Sequence, residues 1–297
     1  MLKNGLSAGI DGWLGEVRSH FAEAAPDLLP LFEIYAAEAR FGRRYLDADL
    51  QHLPAAARVL EVGAGALLLS CQLSREGYVV TALEPTSDGF SHFTRMRQIV
   101  LDNARAEGCC PQLLEVAAER MSERNAFDFA FSINVMEHVD NVSLVLERLA
   151  ASLACGGTYR FTCPNYLFPY EPHFNIPTVF SKSLTERVFG RRIFSNQTVA
   201  DPVGTWKSLN WITVTEVRRL VERLPELQLS FNRGLLVSTL ERMLSDQDFA
   251  SRRSPFFRKL LSFLVRFRVH RIFRFLPATM QPIMDCRIVK VAGGGAS

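Results

Sequence analysis

Two carboxylates and two glycines set the first chemical constraint on this chain. Glu61 leads into a Gly63-Ala64-Gly65 turn, and Glu84 stands roughly 20 residues past it. A glycine-rich turn between a strand and a helix lets the backbone come close to a ligand, and the helix start offers unpaired N–H groups. A carboxylate in the Glu84 position suits the hydroxyls of a ribose. Glu61 then discriminates between nucleosides. A pyrophosphate at the turn would meet like charge in a partly dry cleft. S-adenosylmethionine carries an ammonium and a sulfonium and has no phosphate, so the sign of Glu61 favours that donor over a nicotinamide dinucleotide.

A second set of reactive groups follows. Glu137-His138 comes just after an apolar run at 127–133, and the segment from Pro164 to Phe174 packs Tyr166, Phe168, Tyr170, Glu171, His173 and Phe174 into a short, proline-rich stretch. An imidazole and a carboxylate among aromatic rings suit an acceptor pocket with a general base. His173, Glu171 and His138 are the candidates for handling a proton. The alternatives are that Glu137-His138 only caps the following segment, and that the proline-rich stretch is a rigid cover. Trp206 and Trp211 either complete the pocket or pack as core.

The elements that must position these groups are legible from apolar patterning. Residues 11–52 read as helical, punctuated by Pro26, Pro30 and Gly42. From residue 58 the texture changes to short apolar runs alternating with helical stretches, as in βαβ units. Strands are expected at 58–62, 78–83, 112–116, 127–133 and 158–163, with helices at 66–76, 91–107 and 142–153. Gly77 closes the first of these helices. Residues 165–209 read as a long loop, and loops of that size are usually functional. A helix at 213–224, capped by Thr213 or Thr215, a strand at 227–232 and a last strand at 285–291 complete the chain.

The ordered set Val59-Leu60-Glu61-Val62-Gly63-Ala64-Gly65, Leu83-Glu84-Pro85, Ala118-Glu119-Arg120-Met121, Phe127 to Val139 and Leu153-Ala154-Cys155-Gly156-Gly157-Thr158 resembles the successive motifs of class I S-adenosylmethionine-dependent methyltransferases. The resemblance implies an α/β, Rossmann-like seven-stranded sheet of order 3-2-1-4-5-7-6 with strand 7 antiparallel. It implies that Glu61, Gly63 and Gly65 contact the methionine part of the donor, Glu84 and Pro85 the ribose side, and Ala118 with Glu119 the adenine. Asn134 would line the floor below. Many family members carry an Asp beside the adenine; here Ala117-Ala118 occupy that region. The implied domains are an N-terminal helical cap (1–54), a donor-binding core (55–165), an acceptor-site insertion (166–210) and a C-terminal part (211–297). The expected reaction is O-methylation of a small or lipid-linked acceptor such as a sugar, quinone or polyketide-like compound. A nicotinamide-dependent oxidoreductase and a degenerate, membrane-peripheral scaffold are the alternatives.

Composition bounds the rest. The chain has 297 residues, 48% hydrophobic and 22% charged, the balance of a protein with a substantial core. Its six cysteines (Cys71, Cys109, Cys110, Cys155, Cys163, Cys286) include no C-x-x-C pair and no neighbouring His. Zinc and a disulfide framework are therefore not expected, and no metal-ligating set is read. The formal charge is +3, yet residues 249–284 hold eight Lys/Arg and no Asp or Glu, so the remainder is net negative. Within that segment Phe256, Leu260, Phe263, Leu264 and Phe267 share one helical face, which predicts a basic amphipathic helix over 250–276. Such a helix either meets an anionic membrane surface through 252–274 or packs on the domain. Nucleic acid is not expected: the aromatics form an apolar face, and Asn134-Val135-Met136-Glu137 is not an Asn/Asp-Pro-Pro-aromatic motif. The N-terminus lacks a signal-peptide pattern and no stretch suits a bilayer span. The expected location is cytoplasmic, with peripheral contact at the inner membrane face.

Overall fold

Buried residues at helical spacing build the N-terminal part of the chain. In α1 (Ile10–Ala24), Trp13, Leu14, Val17 and Phe21 are all buried, and in α2 (Leu29–Leu50) Phe32, Ala36, Ala39, Leu46 and Leu50 repeat the pattern. Pro26 opens a short 3-10 turn between them. Gly42 does not break α2, as its residue type had suggested. It lies mid-helix, where an added Cβ would come within 2.7 Å of Leu69 Cδ2 and 2.9 Å of Ile133 Cδ1. Close packing, not punctuation, explains this glycine. The computed structural model describes residues 9–85, 91–199, 201–245 and 262–291.

The alternating segments form β1 (Arg58–Val62), α3 (Leu68–Arg75), β2 (Val79–Leu83), α4 (Ser91–Ala106), β3 (Gln112–Leu114), β4 (Phe127–Ile133), α5 (Val142–Ser152) and β5 (Leu153–Pro164). β6 (Leu227–Phe231) and β7 (Ile283–Lys290) complete a seven-stranded sheet of order β3-β2-β1-β4-β5-β7-β6. β1 runs parallel to both β2 and β4, and β2 runs parallel to β3. Asn232 N–H donates to Asp285 O at 2.9 Å and Ser230 Oγ to Arg287 O at 3.4 Å, a descending register that makes β7 antiparallel to β6. The expected fold class is the observed one.

The described residues divide into two compact units. The first comprises residues up to 133, 143–160 and 289 onward. It holds β1 to β4, α1 to α5, and a buried Arg160 that donates to Tyr45 O at 2.9 Å, pairs with Asp49 and stacks 3.9 Å from the Tyr45 ring. The second comprises 134–142 and 161–288. Here the stretch read as a long loop contains two helices, α6 (Lys182–Phe194) and α7 (Pro202–Ser208). Ser181 and Asp201 cap them by accepting from the N–H groups of Leu184 and Gly204. Thr213, not Thr215, caps α8 (Val214–Val221).

α9 (Leu235–Ser245) arises where no helix had been read. Of the expected basic amphipathic helix over 250–276, residues 250–261 lie outside the described residues. Residues 262–266 are helical, and Val269–Phe275 is a 3-10 run. His270 is buried there, with Nε2 at 2.9 Å from Glu241 Oε1 of α9 and Nδ1 at 3.2 Å from Leu264 O. No helix among the described residues is long and apolar enough to cross a membrane.

Candidate active site

In the first unit, β1 delivers Glu61 to the start of the glycine turn. Gly63 and Gly65 have φ of 74° and 51°, and Leu67 follows at 65°. Left-handed backbone suits glycine and strains leucine, so the turn is held by its surroundings. Gly63 N–H and Ala64 N–H both donate to Leu83 O, at 2.8 and 3.2 Å. Gly65 N–H donates to Glu84 Oε2 at 2.9 Å, which ties the end of β2 to the turn.

Glu61 is buried and accepts from Ser70 Oγ of α3. Burial pushes its carboxyl up to about 8, with the Glu84 charge adding to the rise against the Ser70 hydrogen bond. Glu84 is also raised by burial, opposed by the Gly65 N–H and by Arg97. A buried carboxyl held above its ordinary range gains most from a cation, which fits the ammonium of S-adenosylmethionine. Pro85 is half-buried, Ala118 is buried and Glu119 half-buried in the 3-10 turn Ala118–Arg120. One neighbour was missed in the sequence: Tyr35 of α2 feels the Glu84 charge, and burial with that charge and Glu38 pushes its phenol up to about 12.

In the second unit, Asn134 opens the segment after β4. It is exposed, has φ of 55°, and its N–H donates to Thr162 O at 2.8 Å. Glu137 and His138 follow. Asn210 holds this loop: its N–H donates to Glu137 O at 2.8 Å and its Nδ2 to Met136 O and Val139 O at 2.7 and 2.9 Å.

The structure brings His138, Glu171 and His173 together, as a pocket would require. Glu171 is fully buried and organises its loop, accepting from Phe174 N–H at 2.7 Å, His173 N–H at 3.1 Å and Tyr166 OH at 3.3 Å. It also accepts from His173 Nδ1 at 2.6 Å. Burial alone would depress the His173 imidazole, but this hydrogen bond and the charges of Glu171 and Glu137 raise it above the ordinary value. The His138 ring meets that of His173 edge-on at 5.3 Å. Burial, with the His173 charge, takes His138 down to about 4.

Around this group the aromatics form a connected wall. Trp211 stacks on Tyr166 at 4.2 Å, and Trp206 meets Trp211 and Phe174 edge-on at 5.6 and 5.7 Å. Trp206 donates from Nε1 to Glu186 Oε2 at 2.8 Å. Glu137, absent from the sequence candidates except as the neighbour of His138, is fully buried, and burial pushes it up to about 7.

Comparison with known proteins adds an independent line. The family model for a methyltransferase domain matches residues 35–223. The protein Rv1509 of Mycobacterium tuberculosis is 48% identical over 287 residues, 97% of this chain and 97% of that one. Ubiquinone biosynthesis O-methyltransferase of Agrobacterium fabrum is 32% identical over 101 residues, 34% of this chain and 38% of the other. Among solved structures, Haemonchus contortus phosphoethanolamine N-methyltransferase 2 in complex with S-adenosyl-L-methionine aligns at TM-score 0.47 and 14% identity, over 81% of this chain and 50% of that one.

Proposed function

The chain belongs to the S-adenosylmethionine-dependent methyltransferases, and from that premise we propose that it methylates an oxygen of a small-molecule acceptor, with His173 receiving the acceptor's proton. Family membership sets aside the nicotinamide and scaffold alternatives. When bound, S-adenosylmethionine supplies a methyl on a sulfonium: the acceptor O–H becomes O–CH3, the C–S bond breaks, and the donor leaves as S-adenosylhomocysteine.

The protein's own residues hold and orient. Glu61 sets the ammonium, the Gly63–Gly65 backbone admits the donor chain, and Glu84 with Pro85 holds the ribose side. Ala118 and Glu119 flank the base. Glu171 positions His173 by accepting a hydrogen bond from its Nδ1–H, which leaves Nε2 to accept the proton. That 2.6 Å pair, set among Tyr166, Phe174, Trp206 and Trp211, is the observation that carries the reading. The stretch of similarity to ubiquinone biosynthesis O-methyltransferases points the same way. Oxygen needs a base because a hydroxyl must lose its proton on methylation.

The test is S-adenosylhomocysteine release against a panel of quinol, catechol and sugar acceptors. His173→Ala should lower turnover at least a hundredfold and leave donor affinity intact. Unchanged turnover removes the base. Methylation confined to amines sinks the oxygen assignment.

The acceptor class extends to lipid-linked molecules. Phe263, Phe267, Ile272 and Phe275 are exposed and interleaved with Arg266, Arg268, Arg271 and Arg274, a composition suited to an anionic lipid surface. Flotation on phosphatidylglycerol vesicles should be lost in Arg271→Glu/Arg274→Glu; equal flotation on neutral vesicles refutes it.

A further inference from the structure

Beside the proposed base lies a feature that the base alone does not explain. Glu137 is fully buried, yet neither carboxylate oxygen has a hydrogen-bond partner among the described residues. Buried charge is normally paired or bound to a metal. Two imidazoles face it. His173 Nε2 lies 3.9 Å from Glu137 Oε1, and one ligand atom from each of Glu137, His138 and His173 lies within 4.8 Å of the other two.

Hydrogen bonding fixes which ring nitrogens are available. Ser208 has a single hydroxyl hydrogen, which goes to Thr205 O at 2.9 Å, so its oxygen accepts from His138 Nδ1 at 2.8 Å. The Glu171 carboxylate accepts from His173 Nδ1 in the same way. Each Nδ1 thus donates outward, and each Nε2 can present a lone pair. This is the orientation that supporting carboxylates and hydroxyls impose on metal-binding histidines.

We propose that Glu137, His138 and His173 bind one divalent first-row transition-metal ion, whose open positions take the oxygen of the acceptor hydroxyl. The ion's role rests on the O-methylation reading; its binding does not. Two imidazoles with one carboxylate suit Zn2+, Fe2+ or Co2+, whereas Mg2+ and Ca2+ prefer oxygen ligands. Metal–ligand bonds of about 2.0–2.2 Å put ligand atoms roughly 3–3.5 Å apart, so the three side chains close by about an ångström. Three protein ligands leave positions open, and a hydroxyl bound there becomes more acidic. With the ion bound, His173 serves as its ligand in place of the base proposed above, because the single Nε2 lone pair goes to the ion. The acceptor proton is released to solvent under the ion's charge, without passing through the imidazole. The expectation of no metal considered cysteine pairs; here the fold brings His173 to the adjacent pair Glu137-His138.

The experiment titrates EDTA-treated, full-length protein with Co2+, followed by calorimetry and visible absorption, with S-adenosylhomocysteine binding measured in parallel. One equivalent of Co2+ with d–d absorption is expected. His138→Ala, His173→Ala and Glu137→Gln should each weaken Co2+ binding at least tenfold while retaining S-adenosylhomocysteine. The exposed thiols are removed in Cys110→Ser/Cys155→Ser, which should bind Co2+ as before. Ser208→Ala, an exposed change that removes the support of His138 together with the bond to Thr205 O, should weaken it severalfold, and decides the matter if the buried variants do not fold. No Co2+ binding in the wild type, or binding indifferent to all these substitutions, overturns the site. A bound ion with no hydroxyl acceptor turned over refutes O-methylation and leaves the ion standing. Full turnover by metal-stripped protein, unchanged by added Zn2+ or Co2+, refutes the ion's role alone.

Discussion

Glu61 gives the sharpest quantitative test of the donor site. Burial holds its carboxyl at about 8 in the ligand-free protein, so at pH 7 about one molecule in ten carries the charge there. An ammonium set beside it favours the ionised form. Binding of S-adenosylhomocysteine at pH 7 should therefore expel close to one proton. Affinity should rise about tenfold per pH unit well below 8, roughly fifty-fold in all between pH 6 and pH 8, and then level off. Calorimetry in two buffers of different ionisation enthalpy reads the proton, and the pH series reads the slope. Glu61→Gln should lose both. The groups facing Glu61 are Ser70, the Glu84 carboxyl and the Cys71 thiol, with Arg97 acting on Glu84. Glu84→Ala separates its share. A wild-type affinity flat from pH 6 to 8, or a slope that survives Glu61→Gln, refutes the reasoning.

The same proton has a stability consequence. The native ligand-free protein keeps it up to about 8, while the unfolded chain gives it up near 4.5, so Glu61 makes the ligand-free fold less stable as pH climbs through that window. The thermal shift produced by S-adenosylhomocysteine should grow from pH 5 to pH 8; a constant shift contradicts this. Asp49→Ala strips the carboxylate from buried Arg160 and should cost about 3 kcal/mol in denaturant unfolding, recovered in part by Asp49→Leu/Arg160→Met. In Gly157→Ala the new Cβ would stand 2.8 Å from Ala154 O and 3.0 Å from Phe127 O. Backbone cannot give way as a side chain can, so a loss of about 1–3 kcal/mol is expected, and an unaltered Tm would contradict it.

Local chemistry made the donor half readable. A strand, a glycine turn and a carboxylate on the next strand lie within one βαβ unit, and the Gly65–Glu84 hydrogen bond joins residues that sequence spacing had already paired. The helices of the insertion are obscured by its prolines and weak periodicity, although Ser181 and Asp201-Pro202 are ordinary start signals. Gly42 was misread because a close approach between α2 and Leu69 leaves no trace in local sequence. Tyr35 and Glu137 were missed for a related reason. Their partners, Glu84 and His173, are brought to them by the fold and not by spacing.

Asn165 has a wider consequence. Its Nδ2 donates to the carbonyls of Gln281, Ala278 and Thr279, its own N–H to Pro282 O, and its Oδ1 accepts from Val214 N–H at 3.3 Å. One residue on, Tyr166 N–H donates to Ile212 O at 3.1 Å. The two ends of residues 166–210 are thus held together by this amide side chain and by the Tyr166–Ile212 backbone hydrogen bond. We propose that residues 166–210 can be exchanged as one segment. A chimera that exchanges them between relatives at these two ends should carry acceptor preference across while the donor-binding strands keep their sequence.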